Sequence, residues 1–383
     1  RNNRLNYNKE KLALKKKFKK IINSRLKSDY PIACLLSGGI DSSSLVSTAY
    51  AETKKKLACF SIDPQDKDYN EKYLINKTIN KYSLKHYYVS PKKNNNYNLK
   101  IVKNLIENTG NIIPTTTWLI FYYINKIIKK KKFKVILSGT GGDEFFSGYY
   151  VHHLHYLKSI MKNKGQFKVK YEEWKNHVKP FIRSKFLSNF NLYKKNISKI
   201  DPSFFDYLSI SKYFKSFKKQ KKIRNRYFSN FHKNELFKDI VHFSLPGQLP
   251  FLDIISMTNG LECRSPILSK DLFNFAFKYP NNFLVRKGYG KAIFRDAMKN
   301  IVDDQILNSR EKVGFFIRLD HLFNLNDKKI YRIIFKNKKI NNLLNIEKVK
   351  NLMTKKNKTN QECHLIFGLI NATILLNKYK KYL

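Results

Sequence analysis

Residues 31–50 read PIACLLSGGIDSSSLVSTAY, and this stretch decides the fold. The apolar run at residues 32–36 is typical of a strand that is buried on both faces of a parallel sheet. The segment Ser37-Gly38-Gly39 predicts a tight turn, and the capping residue types that follow at 41–43 predict the start of a helix. A strand, a glycine turn and a helix in this order direct free backbone N–H groups at an anion. The stretch therefore predicts a phosphate-binding edge of an α/β sheet.

The flanking sequence continues the alternation of strands and helices. Further strands are predicted at residues 57–62, 86–89 and 133–137, and helices at residues 8–27, 70–82 and 117–130. This alternation predicts the α/β class, with a twisted parallel sheet flanked by helices and joined by right-handed crossovers.

Beyond residue 150 helical patterns dominate. Helices are predicted at residues 253–278, 291–300 and 361–382, with solvated loops or short helices at residues 323–358. We therefore expect residues 1–383 to form one functional domain. It would have an α/β nucleotide-binding core at residues 1–150 and a mostly helical, substrate-side part at residues 151–383.

The chain is strongly basic. Its 383 residues include 76 Lys and Arg against 28 Asp and Glu, which gives a formal net charge of +48. An excess of this size is the footprint of a nucleic-acid binder. The excess is mostly lysine, however, is spread along the chain and accompanies abundant Asn, Ile, Phe and Tyr, whose codons are AT-rich. We interpret the charge as compositional drift and expect no specific nucleic-acid partner, with a nucleic-acid surface as the alternative.

The sequence also bears on the compartment of the protein. No run of 18 uncharged apolar residues occurs, so no transmembrane helix and no membrane partner are expected. The four cysteines lie far apart, so neither a disulfide framework nor a zinc site is expected. Free thiols fit a reducing compartment, and we expect a cytoplasmic protein.

Glycine and aspartate mark the candidate site. Only 14 glycines occur, and six of them lie at residues 38–39 and 139–148, each stretch following a predicted strand. Glycine there lets the backbone approach a ligand closely. Each stretch also carries a carboxylate, Asp41 or Asp143, and a carboxylate beside phosphate requires a cation between them. The pattern predicts a shared Mg²⁺ site, with ordinary tight turns and, for Asp41, a helix cap as the alternatives.

Five segments, in order along the chain, resemble the asparagine synthetase family. They are SGGIDSS (37–43), LSGTGGDEFFSGYY (137–150), LPFLDIISMTNGLECRSPIL (249–268), GYGKAIFRDAM (288–298) and SREKVGF (309–315). The first is similar to the pyrophosphatase loop of the N-type ATP pyrophosphatases, and the second to a signature of asparagine synthetases, β-lactam synthetases and peptide-cyclising enzymes. The resemblance implies an adenine nucleotide α-hydrolase-like fold and a glutamine-hydrolysing type of carbon–nitrogen ligase that uses ATP and Mg²⁺.

The reaction implied by the resemblance is adenylation of a carboxylate, with the aspartate side chain as first candidate, and release of Mg-pyrophosphate. Ammonia or an amine then gives an amide and AMP. The motifs assign the nucleotide to Leu36, Ser37, Gly38, Gly39, Asp41, Ser42, Ile62, Ser138, Gly139 and Lys291, and Mg²⁺ to Asp41 and Asp143. They assign catalysis to Lys312, as a fixed cation, and to Asp253 and Thr140. A helix cap for Asp253 and a helix-surface role for Lys291 and Arg295 stay open.

Two positions depart from the family pattern. Asparagine synthetases usually carry Glu, Asp or Gln where this chain has Thr140, and aspartate-using members tend to carry an arginine near residues 114–117. Threonine cannot act as a general base near neutral pH. The acceptor is therefore open, and a cyclase or amidotransferase acting on a peptide or sugar acid is the first alternative. A tRNA-modifying enzyme with the same loop and a degenerate pseudoenzyme are the others.

The expected partners follow from the same comparison. The family's amino-terminal glutaminase domain does not lie in this chain, so a glutaminase in cis or in trans, or external ammonia or amine, would supply nitrogen. A homodimer stays open. Glu262 and Arg264 are expected to form a structural ion pair at a helix end. The spacing of His152, His153 and His155 argues against a metal site on one helix face.

Overall fold

The computed structural model describes residues 5–54, 57–63, 70–197, 206–216, 223–312 and 317–379. The strands are β1 (Ile32–Leu35), β2 (Ala58–Ile62), β3 (Lys85–Val89), β4 (Val135–Leu137) and β5 (Glu262–Arg264). The first helices are α1 (Tyr7–Arg25), α2 (Ile40–Thr53), α3 (Lys72–Tyr82), α4 (Asn95–Thr109), α5 (Thr117–Lys130), α6 (Gly142–Phe146), α7 (Tyr150–Ile160), α8 (Lys164–His177), α9 (Phe190–Asn196) and α10 (Phe231–Val241). The later ones are α11 (Ser244–Met257), α12 (Lys270–Lys278), α13 (Asn281–Leu284), α14 (Ala292–Ala297), α15 (Asp304–Asn308), α16 (Leu319–Leu322), α17 (Lys328–Lys336), α18 (Lys338–Leu343), α19 (Ile346–Thr354) and α20 (Asn360–Lys378). Short 3₁₀ helices span Lys179–Phe181 and Asp206–Tyr213.

The strands form one parallel sheet in the order β3-β2-β1-β4-β5. In the central strand, Cys34 pairs with Cys59 of β2 and with Leu137 of β4. The order of the strands reverses between β1 and β4, and at such a point the connections diverge and leave a crevice at the carboxyl ends of the strands. The predicted α/β class, with helices flanking a parallel sheet, is confirmed.

The sheet is buried on both faces, which explains why its strands are short and apolar. Ala33 and Leu35 of β1 face one apolar cluster, which α4, α5 and α20 complete with Val102, Ile120 and Ile366. Cys34 and the following Leu36 face another, which α1, α2 and α14 complete with Phe18, Leu45 and Phe294. The central strand and its turn are therefore held rigidly between two layers of helices.

The predicted helix at residues 253–278 is wrong in its middle. Helix α11 ends at Met257, and Gly260 follows in the left-handed conformation with φ of 67°. Residues 262–264 then pair with β4 as the edge strand β5, and α12 begins only at Lys270. The apolar residues that suggested one helix instead serve two helices and a strand.

The segment at residues 323–358 was expected to form solvated loops or short helices, and it forms short helices. Its apolar residues are not solvated, because Ile330, Ile334, Ile340 and Val349 are buried in the first cluster. The apolar spacing within this Lys- and Asn-rich composition is therefore part of the core.

Two further features concern the cysteines and the hydrophobicity of the helices. All four cysteines are free thiols, three of them buried. Within the described part of the chain, no helix has both the length and the hydrophobicity that a bilayer span needs.

Candidate active site

The turn after β1 is shaped by hydroxyl groups. Ser42 Oγ accepts from the backbone N–H of Ser37 at 3.0 Å and lies 2.9 Å from Ser37 Oγ, which in turn accepts from the N–H of Gly39 at 3.2 Å. The N–H of Gly38 donates to Glu71 Oε2 at 3.3 Å. A carboxyl oxygen of Glu71 therefore already lies on one amide of the turn where the sequence predicts phosphate binding.

The turn after β4 lies directly against the turn after β1. A Cβ atom at Gly139 would stand 2.9 Å from the backbone nitrogen of Ser42, and one at Gly142 would overlap the carboxylate of Asp41. At Gly139 the near atoms are backbone, so no side chain fits, and at Gly142 a side chain would displace the carboxylate of Asp41. This close approach brings Asp41, in the first turn of α2, next to Asp143, in the first turn of α6.

Two lysines complete a buried cluster with these carboxylates. Lys291 Nζ lies 2.5 Å from Asp41 Oδ2 and 2.8 Å from Asp143 Oδ1, and its side chain is 6% exposed. Lys312 Nζ also contacts Asp143 Oδ1. Asp41 does not cap its helix, because the N-cap residue is Gly39 and the carboxylate binds Lys291. That alternative for Asp41 is wrong, and so is a helix-surface role for the side chain of Lys291.

The charges in the cluster have opposite effects on its two carboxylates. Burial raises the pKa of Asp41, and the charge of Asp143 raises it further against the pull of Lys291. Burial alone would also raise the pKa of Asp143, but Lys291 and Lys312 together hold it well below its usual range. The pKa of Lys291 is raised, because its two carboxylates outweigh the effect of burial. Asp143 and Lys291 are therefore an ion pair at neutral pH.

The cluster lies in a cavity of about 540 Å³ at the carboxyl edge of the sheet. This size is within the usual range for small-molecule sites. The cavity brings together eight of the residues predicted from the sequence: Ser37, Gly39, Asp41, Gly139, Thr140, Asp143, Lys291 and Lys312. It lies at the crevice between β1 and β4, as expected for a ligand site of an open α/β sheet.

The comparison with known proteins agrees with this geometry. The family model described as asparagine synthase matches residues 13–376. The chain belongs to the asparagine synthase family. The match covers the sheet, both glycine turns and the four charged residues of the cluster.

Two curated asparagine synthases are similar to the chain. Asparagine synthetase [glutamine-hydrolyzing] 1 of Bacillus subtilis is 25% identical over 328 residues, which are 78% of this chain and 48% of that protein. Putative asparagine synthetase [glutamine-hydrolyzing] 2 of Methanocaldococcus jannaschii is 30% identical over 166 residues, which are 42% of this chain and 31% of that protein. The chain thus matches about half of the length of the first relative and a third of the second.

The residues present fit the magnesium ion that the asparagine synthase family implies. Asp41 and Asp143 offer carboxylate oxygens, the ligands that Mg²⁺ prefers. Asp41 Oδ1 is buried and has no hydrogen-bond partner among the described residues, so it retains the capacity to accept a cation. In the structure Lys291 supplies the positive charge between the two carboxylates.

A hydrogen-bonded network missed by the sequence analysis adjoins the cluster. Tyr149 donates to Glu144 Oε1 at 2.7 Å, Ser244 donates to the same oxygen, and Gln248 Nε2 donates to Ser244 Oγ at 2.7 Å. Lys312 Nζ lies 4.4 Å from the ring centroid of Tyr149. All four network residues line the cavity. Tyr149 stands in a quoted motif, but nothing in the sequence links it to α11.

The other predicted residues lie around the cavity or away from it. Gly38 and Ser42 belong to the turn itself, and Leu36, Ile62 and Ser138 are buried at the strand ends. Asp253 is not a helix cap, because it lies inside the second half of α11. Its side chain is exposed and does not line the cavity. Residues 313–316, which include the glycine of the fifth motif, lie outside the described residues.

Two side predictions have structural outcomes. Glu262 and Arg264 form the expected ion pair, with Arg264 Nε 2.7 Å from Glu262 Oε1, but they lie on β5 and not at a helix end. The three histidines have separate surroundings. His152 contacts Asp239 at 2.9 Å, His155 contacts Tyr193 at 2.7 Å, and His153 lines the cavity. Burial lowers the pKa of His152 to about 3, so it stays neutral near pH 7.

Proposed function

We propose that this chain is the synthetase part of an ATP-dependent, amide-forming ligase. An oxygen of the substrate carboxylate attacks the α-phosphorus of ATP, and the bond to pyrophosphate breaks. The nitrogen of ammonia or an amine then attacks the acyl carbon, the bond to AMP breaks, and the amine loses a proton. The observation that carries the proposal is the cluster of Asp41, Asp143, Lys291 and Lys312 in the crevice of an asparagine synthase fold.

The proposed roles follow from the positions of the residues. The turn at residues 37–39 and Ser42 would bind pyrophosphate through amides and hydroxyls. The buried residues at the strand ends, Leu36, Ile62 and Ser138, together with Gly139, would form the adenosine side. Mg²⁺ on Asp41 and Asp143 would neutralise the pyrophosphate as it leaves.

Lys291 and Lys312 would have different roles in the reaction. Lys291 holds the two carboxylates together, and it would also face the phosphates. Lys312 lies at the rim of the cluster with its side chain 30% exposed, so it can reach the reacting phosphate and carbonyl. A fixed cation aimed at charge that develops in the transition state is commonly worth about 3–4 kcal/mol.

The identity of the acid and of the nitrogen donor depends on the residues around Thr140 and on the names of the relatives. The relatives' names suggest aspartate and glutamine, and aspartate is the first candidate acid, with a peptide or sugar acid as the alternative. Thr140 Oγ1 lies 2.8 Å from Ser138 Oγ, so its hydroxyl can orient a substrate but does not supply a base. Asp253 would act only if a substrate or a partner reached its exposed position on α11. We place the reaction in the cytoplasm, with nitrogen supplied by a glutaminase in cis or in trans or as external ammonia or amine.

Exchange of labelled pyrophosphate into ATP tests the proposal. The purified chain should catalyse exchange that depends on Mg²⁺ and on an added carboxylic acid, because adenylation is reversible. Asp143→Asn should reduce this exchange at least a hundredfold, while Asp271→Asn, at an exposed surface ion pair with Lys17, should leave it unchanged. Exchange that is absent with every acid tested, or equal in Asp143→Asn, would contradict the proposal.

A further inference from the structure

The walls of the cavity differ in chemistry from one end to the other. Helix α11 shows this most clearly, because Ser244, Gln248 and Leu252 recur every four residues on one helix face and all line the cavity. Ser244 and Gln248 belong to the network around Glu144, beside the charged cluster. Leu252 lies two turns further on, roughly 12 Å along the helix from Ser244. The cavity thus changes from charged to apolar along this helix.

The start of α5 and the turn before it lie beside α11 at the apolar end. Pro114, Trp118 and Phe121 line the cavity there, together with the hydroxyl residues Thr115 and Thr117. Trp118 is 6% exposed and stacks on Phe251 of α11 with ring centroids 5.5 Å apart. This packing fixes the indole, so the apolar wall is a rigid part of the cavity.

The cations of the cavity lie at the opposite end. Lys291 and Lys312 contact Asp143, and Arg295 donates to the carbonyl oxygens of Gly290, Ile306 and Leu307. The guanidinium of Arg310 stacks on Tyr289, 4.0 Å from the ring centroid. All four cations lie within residues 291–312. Among the described residues, α5 and α11 contribute no cation to the lining.

This separation determines which acid the cavity can hold. If the cation-rich end binds the triphosphate, the carboxylate to be activated must face that end and the remainder of the acid must face Trp118, Phe121 and Leu252. A second carboxylate there would lose its hydration without gaining a counter-charge, which is unfavourable. An apolar group would instead release water from both surfaces.

We propose that the acid activated by this enzyme is a monocarboxylic acid with an uncharged, largely apolar tail. This acid replaces aspartate, a dicarboxylic acid, which the names of the relatives make the first candidate. The tail packs on Phe121 and on the small exposed parts of Trp118 and Leu252. A single polar group of the tail has the hydroxyls of Thr115 and Thr117 and the amide of Gln248 as its partners. This inference rests on the proposed function and specifies its substrate class.

Pyrophosphate exchange on the unmodified protein tests the inference with two pairs of acids. L-Aspartate and succinate are compared with pentanoate and 3-phenylpropanoate. We expect kcat/KM for 3-phenylpropanoate to exceed that for either dicarboxylate at least tenfold. Equal or better use of a dicarboxylate would overturn the substrate class and leave the ligase function standing. No exchange with any acid would overturn the ligase function and this inference with it.

A variant separates packing from general damage. Trp118→Ala should lower kcat/KM for 3-phenylpropanoate at least tenfold and lower that for pentanoate less, because the shorter chain loses less contact. Tyr30→Ala, which removes an exposed aromatic residue away from the cavity, is the control and should change neither value. Equal losses for both acids in Trp118→Ala would contradict a direct contact between the indole and the tail.

Discussion

Lys291 Nζ lies 2.8 Å from Asp143 Oδ1, and both side chains are largely buried. The backbone is shaped around this ion pair. Lys291 has φ of 56°, a left-handed conformation that costs a non-glycine residue about 1–2 kcal/mol. A Cβ at Gly148 would overlap both Asp143 and the side chain of Lys291. The fold accepts an unfavourable backbone conformation to hold the ammonium between two carboxylates.

Lys291→Met keeps the length of this side chain and removes its charge. We expect the free energy of unfolding at pH 7 to fall by about 3 kcal/mol, because the carboxylates lose a buried partner. Chemical denaturation measures the loss. Lys17→Met, which breaks an exposed ion pair with Asp271, should cost less than about 1 kcal/mol. Equal losses in the two variants would show that the buried pair adds nothing.

The same variant should gain affinity for a divalent cation in the absence of nucleotide. Without the ammonium, the two carboxylates form an uncompensated acidic site of hard oxygen ligands. Mn²⁺ titration followed by electron paramagnetic resonance should show one site that is at least tenfold tighter in Lys291→Met than in the unmodified protein. Unchanged affinity would mean that Lys291 and a metal do not compete for the same carboxylates.

Glu71 should make stability depend on pH near neutrality. Burial raises its pKa to about 7, although the N–H of Gly38 and the charge of Lys312 favour the ionised form. In the unfolded chain the pKa of a glutamate is about 4.3. The folded state binds the proton of Glu71 more tightly, and the stability that this adds is complete below pH 4 and is lost as pH rises through 7. Glu71→Gln should therefore match the unmodified protein at pH 4.5 and be about 1–3 kcal/mol more stable at pH 8.

Denaturation midpoints between pH 4.5 and 8 measure this effect. Glu107→Gln changes an exposed residue of α4 whose ion pair with Lys103 spans 4.0 Å, so its stability difference should stay flat over the same range. A flat difference for Glu71→Gln as well would show that Glu71 titrates at its ordinary pKa.

Gly142→Ala tests the contact between the two turns. The added methyl group overlaps the carboxylate of Asp41, so we expect a loss of about 1–3 kcal/mol in stability and a loss of pyrophosphate exchange of at least a hundredfold. Gly368→Ala is the matched control inside α20, where an added Cβ meets no atom within 4 Å. It should stabilise the protein by about 0.5–1 kcal/mol and leave exchange unchanged. Normal exchange in Gly142→Ala would contradict the proposed position of Asp41.

Arg264→Lys tests whether the hydrogen bonds at this position require an arginine. Arg264 donates to both carboxylate oxygens of Glu262 and to the carbonyls of Arg25 and Lys27, a geometry that a lysine cannot reproduce. We expect a loss of about 1–2 kcal/mol in unfolding free energy. Arg332→Lys, on the exposed face of α17, should change stability by less than about 0.5 kcal/mol. Equal stability losses in Arg264→Lys and Arg332→Lys would show that the guanidinium geometry of Arg264 does not stabilise the fold.

The sequence predicts four of the five strands and the two glycine turns, because these features depend on local pattern. Apolar runs identify strands buried on both faces, and glycine with aspartate after a strand identifies a ligand edge. The sequence does not predict side-chain contacts between residues that lie far apart along the chain. Glu71 reaches Gly38 across 33 positions, and Lys291 reaches Asp41 across 250.

The same reason explains the missed strand and the missed network. Residues 262–264 form a strand only because β4 offers an open edge, and their local sequence carries a helix-like pattern on both sides. Ser244 meets Glu144 across 100 positions through the packing of α11. Periodicity reports which face of an element is buried, but it does not report what covers that face.

The order of the strands has a consequence for synthesis. β4, which brings Asp143 beside Asp41, is made after β1 and after the intervening strands β2 and β3 and helices α2 to α5, and Lys291 follows later still. An unfinished copy that ends at β3 contains the first glycine turn without the second carboxylate or either lysine. The four charged residues of the cluster can therefore come together only after the segment that carries Lys312 has been made and has docked on the sheet.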